Sequence, residues 1–157
     1  MKRVKMKGIK VKKAFLFLLL FLTLLPGLGG CTVVRGNFTK EYQLQGASRL
    51  RIVTRNGSVK VTGWHENYLP LRVTWMVQGE TGNELSEYGK EIEVIPNWQG
   101  DLLALTVSYP SLPPYIHSAG VSLELKVPRE KIEEIMVETS NGALGFYKLR
   151  SALTGRS

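Results

Sequence analysis

The sequence predicts an all-β domain, a strand-repeat solenoid or roll, with an antiparallel β-sandwich as the alternative and an N-terminal signal helix in front. Three observations carry that class. Most of the chain after residue 40 alternates apolar and polar residues with a period of two, the mark of strands with one wet and one buried face. Gly, Pro and Asn punctuate these runs, and a single short segment has helical spacing. Two stretches, Val53–Val61 (VTRNGSVKV) and Glu138–Phe146 (ETSNGALGF), share Thr-x-Asn-Gly followed by apolar residues two and four positions after the Gly. With 157 residues, 43% apolar and 22% charged, the chain is sized for one ordinary domain with a core.

The first thirty residues read as an address. Lys2, Arg3, Lys5, Lys7, Lys10, Lys12 and Lys13 supply seven of the 21 basic residues, with no acid among them. The remainder holds 14 basic against 13 acidic residues, so the formal charge of +8 belongs to the leader. That location points away from nucleic acid as a partner. Ala14–Leu25 (AFLFLLLFLTLL) follows, twelve residues with Thr23 as the one weakly polar member. A helix of that length reaches about 18 Å, short of a roughly 30 Å hydrocarbon core. Pro26 and Gly27 then break it, completing a secretory signal pattern.

The next residues, Leu28-Gly29-Gly30-Cys31, resemble the lipobox of bacterial lipoproteins. The resemblance implies cleavage between Gly30 and Cys31, a diacylglycerol on the Cys31 thiol and acylation, palmitate-like, of the new N-terminus. Gly29 departs from the commoner Ala or Ser. Cys31 is the only cysteine in the chain, and a lone thiol in an oxidising compartment is a liability without a use. Acyl chains that bury methylenes at about 0.8 kcal/mol each would hold the protein on a membrane. The expected location is the cell envelope, lipid-anchored through Cys31 on the outer face of a bacterial membrane. Thr32 is not an Asp-type retention signal, so an outer membrane and a plasma membrane both fit.

Division of the chain follows: signal peptide 1–30, tether 31–40, β domain 41–157. Thr32 to about Lys40 shows no periodicity, hence the tether. Leu50, Ile52, Thr54, Val59 and Val61 fall on one face; Arg49, Arg51, Arg55, Ser58, Lys60 and Thr62 fall on the other, with Val53 the apolar exception. Leu71, Val73, Trp75 and Val77 mark a further strand, as do Ile92 and Val94, and Leu103, Leu105 and Val107. Val121, Leu123, Leu125 and Val127 alternate most cleanly, and Pro128 ends that run. Leu85, Tyr88 and Ile92 are spaced for one or two helical turns capped at Asn83 and weakened by Gly89. Ser108–Gly120, with three prolines, reads as a loop.

Asn56-Gly57 and Asn141-Gly142 are the structural turns. Asn-Gly is the favoured pair for a type I′ hairpin, with positive φ at both residues. A hairpin would pair Ile52 with Val61 and Val137 with Phe146, apolar against apolar. A sharp corner between successive solenoid runs is equally consistent, with Thr and Asn side chains satisfying corner backbone groups and stacking on the next coil.

The order LRIVTRNGSVKVTGW, GDLLALTVSYP, VSLELKVPREKIEEIMVETSNGALGF resembles the bacterial putative-adhesin family of unknown function, built from β-strand repeats. The likeness runs from about Tyr42 to Leu149. It implies a solenoid-like all-β fold outside the membrane and supplies no catalytic residues. Family members carry further repeats after the second corner, whereas eleven residues follow Phe146 here. A C-terminally truncated product or a short variant is expected, with a low-stability C-terminal segment.

Chemistry-bearing clusters are sparse. His65 and His117 lack companions at ligand spacing, no nucleophile elbow or phosphate loop appears, and Glu130, Glu133 and Glu134 read as a solvated connector. No catalytic, cofactor-binding or metal residue is assigned, and no cofactor is expected. Trp64, Tyr68, Trp98, Tyr109 and Tyr115 fall at strand ends or in loops, as caps of the β core or as sugar- or peptide-stacking groups. The expected function is an adhesin-like, non-catalytic surface interaction module with a protein or glycan partner. The alternative is a small envelope enzyme or ligand-binding lipoprotein acting on cell-wall glycans.

Overall fold

The computed structural model describes residues 30–80 and 82–156. The expected signal segment, apart from Gly30, lies outside them. The described chain forms β1 (Thr32–Gln43), β2 (Arg49–Asn56), β3 (Val59–Trp64) and β4 (Tyr68–Gly79), then α1 (Gly82–Lys90). β5 (Glu93–Gln99), β6 (Leu102–Ser108), β7 (Ile116–Pro128), β8 (Glu134–Asn141), β9 (Leu144–Tyr147) and β10 (Ala152–Arg156) follow.

The strands build two mixed five-stranded sheets in a sandwich-like, all-β arrangement. One has the order β1-β4-β7-β3-β9 and the other β10-β8-β2-β6-β5. β1–β4, β4–β7 and β5–β6 are antiparallel. β2 runs parallel to β6 and β8, β3 runs parallel to β7 and β9, and β10 runs parallel to β8. Parallel pairings thus make up two of the four in the first sheet and three of the four in the second, so both sheets are mixed, which corrects the antiparallel alternative. The alternation read in the sequence holds strand by strand. Leu50, Ile52, Val59 and Val61 point inward with Leu71, Val73, Leu103, Leu105, Leu123, Leu125, Ile135 and Val137, all buried. Each such side chain contributes roughly 1.5–3 kcal/mol relative to exposure.

The Asn-Gly pairs are corners rather than hairpins, because each joins strands of different sheets. β2 turns into β3 at Asn56-Gly57, and β8 turns into β9 at Asn141-Gly142. The two corner units lie side by side in register: Ile52 faces Val137, Thr54 faces Thr139, Asn56 faces Asn141, and Val61 faces Phe146. Stacking also explains the motif. Asn141 donates through Nδ2 to Asn56 Oδ1 at 3.2 Å, and Asn56 donates through Nδ2 to the Ala119 carbonyl at 3.3 Å. The buried Thr139 hydroxyl faces the carbonyls of Arg55 and Gly57 at 3.5 and 3.4 Å.

Type I′ geometry is absent from both corners. Gly57 has φ +131°, but Asn56, Asn141 and Gly142 are not in the positive-φ region. Close approach demands the glycines instead. A Cβ on Gly57 would sit 1.8 Å from the Val121 carbonyl oxygen, and one on Gly142 would sit 1.9 Å from the Gly57 carbonyl oxygen.

Residues 31–40 are not a tether. Thr32–Gln43 forms the twelve-residue edge strand β1, paired along its whole length with β4 from Thr32↔Gly79 to Gln43↔Tyr68. Its alternation is hidden in the sequence because Val33 faces outward and Gly36 takes an inward position. The Trp75 indole fills the space that a Gly36 side chain would occupy, 2.2 Å from the site of its Cβ. Gly89 of α1 meets the same ring 2.4 Å from the site of its own Cβ. The glycine that weakens the helix is thus what lets α1 lie close against β4. α1 starts at Gly82, one residue before the expected cap, and buries Leu85 and Tyr88. β7 extends back to Ile116, so the loop expected over 108–120 is confined to residues 109–115.

Towards the last strands burial thins out. Ile135 and Val137 of β8 are fully buried, β9 is half-buried apart from Tyr147, and all five residues of β10 are exposed. At the other side of the second sheet, Arg49 donates through Nε and Nη2 to both Asp101 carboxylate oxygens at 2.8 Å. That bidentate pair holds the Asp101 carboxyl below its ordinary range. Gly57→Ala and Gly142→Ala should each destabilise the domain by about 2–4 kcal/mol in urea unfolding, through backbone overlap. Gly100→Ala, whose Cβ would meet open space at φ +62°, should cost only about 1–2 kcal/mol.

Candidate functional site

β1 and β4 give the first sheet two distinct ends. At one, Cys31 precedes Thr32, which pairs with Gly79; at the other, Gln43 pairs with Tyr68 near the end of β3 at Trp64. An open groove of about 470 Å³ lies on the water-facing side of this sheet, towards the second end.

Period two places its lining. Thr39, Arg72, Glu124, Lys60 and Gly145 form one row across β1, β4, β7, β3 and β9. Opposite charges stand directly across from one another in that row, Arg72 against Glu124 and Glu124 against Lys60, an arrangement that stabilises neighbouring strands. One step along, Lys126 and Tyr147 flank Thr62. Trp64 and Tyr68 meet edge to face with ring centroids 4.7 Å apart, and Trp64 donates through Nε1 to the Tyr68 carbonyl at 3.1 Å. Lys126 Nζ lies 5.4 Å from the centroid of Trp64, and Lys60 Nζ lies 5.7 Å from that of Tyr147. Each contact is of cation–π type, worth about 0.5–1 kcal/mol at exposed sites. Tyr147 is 53% exposed although it sits on a sheet. The groove therefore combines aromatic surface, ammonium groups, carboxylates and the hydroxyls of Thr39 and Thr62, and it is open to solvent.

The residues singled out in the sequence are dispersed. Asn56, Gly57, Asn141 and Gly142 come together, as architecture. Cys31 is exposed at the far end of the sheet; Gln78 donates through Nε2 to its sulfur at 3.1 Å, and His117 Nδ1 lies 3.6 Å from it. His65 sits 3.2 Å from an Arg129 nitrogen on another part of the surface. Among the described residues, no group of three or more His, Cys, Asp or Glu side chains converges as metal ligands. No helix among them is long and apolar enough to cross a membrane.

Structure sorts the aromatic candidates. Trp98 packs on Tyr42 with centroids 6.4 Å apart, and Trp98, Tyr109 and Tyr115 all lie against the core. Tyr109 donates its hydroxyl to the Asn56 carbonyl at 3.3 Å, bracing the first corner. Trp64 and Tyr68 lie in the groove instead. Lys60, Arg72 and Lys126, the groove's other main members, and Tyr147 beside it were not singled out in the sequence. Their signal was their outward parity on strands, which became a cluster only once β3, β7 and β9 were side by side.

No protein-family model matches the chain, and no curated protein matches it. Among solved structures, a "putative cell adhesion protein" from Clostridium sporogenes is similar at 14% identity and TM-score 0.48, over 78% of this chain and 57% of that one. A "putative adhesin" from Bacteroides fragilis is similar at 11% identity and TM-score 0.40, over 77% and 56%. The chain thus spans a little over half the length of these two proteins.

The packing separates structural aromatics from free ones. Replacing Trp98 and Tyr115 together by Ala should lower stability by about 2–5 kcal/mol in denaturant unfolding. Tyr147→Ser should stay within about 0.5 kcal/mol of the parent.

Proposed function

We propose that this protein is a lipid-anchored envelope module that binds, without catalysis, a glycan bearing acidic groups. The groove on the first sheet is its binding face. The observation that carries the reading is the Trp64–Tyr68–Tyr147 surface with Lys60 and Lys126 over its rings, placed where packing does not call for aromatics. Sugar rings present apolar C–H faces that stack on such side chains, while Lys60, Lys126 and Arg72 would take carboxylates or phosphates. Glu41, Glu124 and the threonine hydroxyls accept hydrogen bonds from sugar hydroxyls. The parallel, in-register corner units support a finer reading of the fold, in which β2–β3 and β8–β9 are rungs of a strand-repeat solenoid. Localisation to the outer face of a bacterial membrane rests on the lipobox-like Leu28–Cys31.

Two measurements test these statements separately. Cys31→Ser should move the protein from the membrane to the soluble fraction and abolish fatty-acid labelling; equal membrane retention of parent and variant would refute the anchor. On an array of neutral, uronic-acid-bearing and phosphate-bearing oligosaccharides, the parent should prefer the acidic members. Lys126→Glu combined with Tyr147→Ser should lose at least about tenfold in affinity, the size of about 1.4 kcal/mol. Absence of binding by the parent to every class would overturn the glycan assignment.

A further inference from the structure

The absence of a spacer after Cys31 has a geometric consequence. β1 begins at the next residue, and Thr32 is already paired with Gly79. A diacylglycerol on Cys31 would therefore hold the end of the first sheet at the headgroup layer, since one residue spans only about 3.8 Å. Whatever surrounds Cys31 must meet the lipid.

That surrounding carries an apolar loop. β7 enters the sheet at Ile116, which pairs with Gly79, and Glu80 N donates to the Tyr115 carbonyl at 3.1 Å. The loop that precedes β7 is thus two strand positions from Cys31, a lateral distance of about 10 Å. Its tip reads Leu112-Pro113-Pro114-Tyr115, closed by a hydrogen bond from Ile116 N to the Pro113 carbonyl at 3.0 Å. Leu112 is 56% exposed, more than any other large hydrophobic residue among those described. Val33, 42% exposed, lies two residues from Cys31 on the same end, and Met76, 40% exposed, is its diagonal neighbour across β4.

We propose that the loop tip Leu112–Pro114 is a second, non-covalent membrane contact, which with the Cys31 lipid seats the domain end-on to the bilayer. This rests on the lipoprotein reading of Cys31. The occupant is the interfacial and outer acyl region of a bilayer. An exposed Leu beside a rigid Pro-Pro turn suits that zone, and one lipid signal gains from a second contact. Charge at this end is mixed: Arg35, Arg55 and Lys90 stand against Glu80, Glu84, Glu87 and Glu91. Zwitterionic lipid therefore suffices, and no anionic lipid is required. The strands then rise from the membrane, and the twelve residues of β1 place the Tyr68 end about 36 Å above it.

A single-cysteine design tests the proposal on the full chain, processed in a bacterial host and reconstituted in phosphatidylcholine vesicles. Lipidation consumes Cys31, so Leu112→Cys supplies the one free thiol for a nitroxide, with Asn67→Cys at the opposite end as reference. Power-saturation EPR should give a several-fold higher ratio of oxygen to nickel-chelate accessibility at 112 than at 67, unchanged when one-third of the lipid is phosphatidylglycerol. Equal, water-like ratios at both positions with one label per chain would overturn the end-on seating while leaving the anchor intact. Two labels per chain would show Cys31 unmodified and overturn both readings. A membrane-like ratio only with phosphatidylglycerol present would refute the stated lipid class.

Discussion

Backbone resting on backbone at the corners is the constraint on which the rest of this fold depends. Gly142 lies against the Gly57 carbonyl, and Gly57 lies against the Val121 carbonyl, each too near for a β-carbon. That contact brings the two corners to ladder spacing with each other and with β7 at the point where β2 and β8 pass from one sheet to the other. Once the corners are stacked, the register of the strands on both sides is determined. Like then falls on like: Thr139 beside Thr54, Asn141 beside Asn56, and apolar side chains beside apolar ones through the core. The Asn side chains close the stack by bonding along it.

From that register the surface follows. An inward row obliges an outward row, and the outward rows of β1, β4, β7, β3 and β9 assemble charges and rings from five separate stretches of chain. The pairing Arg72–Glu124–Lys60 is a consequence of strand order. So are the contacts of Lys126 with Trp64 and of Lys60 with Tyr147, which no local spacing links. The groove is thus an outcome of stacking, set on rigid strands rather than on loops, a placement that suits recognition of a preformed ligand.

The long edge strand β1 connects the two proposed activities of the molecule. Its first residue follows the cysteine and its last residue faces Tyr68 by the groove. Rigid pairing along all twelve positions would transmit the position of an anchor to the binding face without a hinge. A flexible tether would let the domain wander and tilt; a paired strand would hold the groove outward. The small residues Gly36 and Gly89 matter here, because they let Trp75 lock β1, β4 and α1 together at the Cys31 end.

Much of the fold was legible in the sequence. Strand faces over residues 49–62, 71–77, 103–107 and 121–127 were written in their alternation, because burial of one face is a local, period-two property. The Thr-x-Asn-Gly units announced themselves as sharp turns. β1 was illegible because its inward Gly36 borrows its packing from Trp75, 39 residues away, so no local pattern survived. The groove was illegible for a related reason, since its members belong to strands made neighbours only by pairing. By itself the sequence determined which side of each strand is dry and where the chain must bend. Only the tertiary structure decided which strands are partners, that both sheets mix parallel and antiparallel pairs, and that Asn-Gly is a corner between sheets. Alternation states that a face needs covering, whereas the identity of the covering strand is settled by backbone register between segments far apart in the chain.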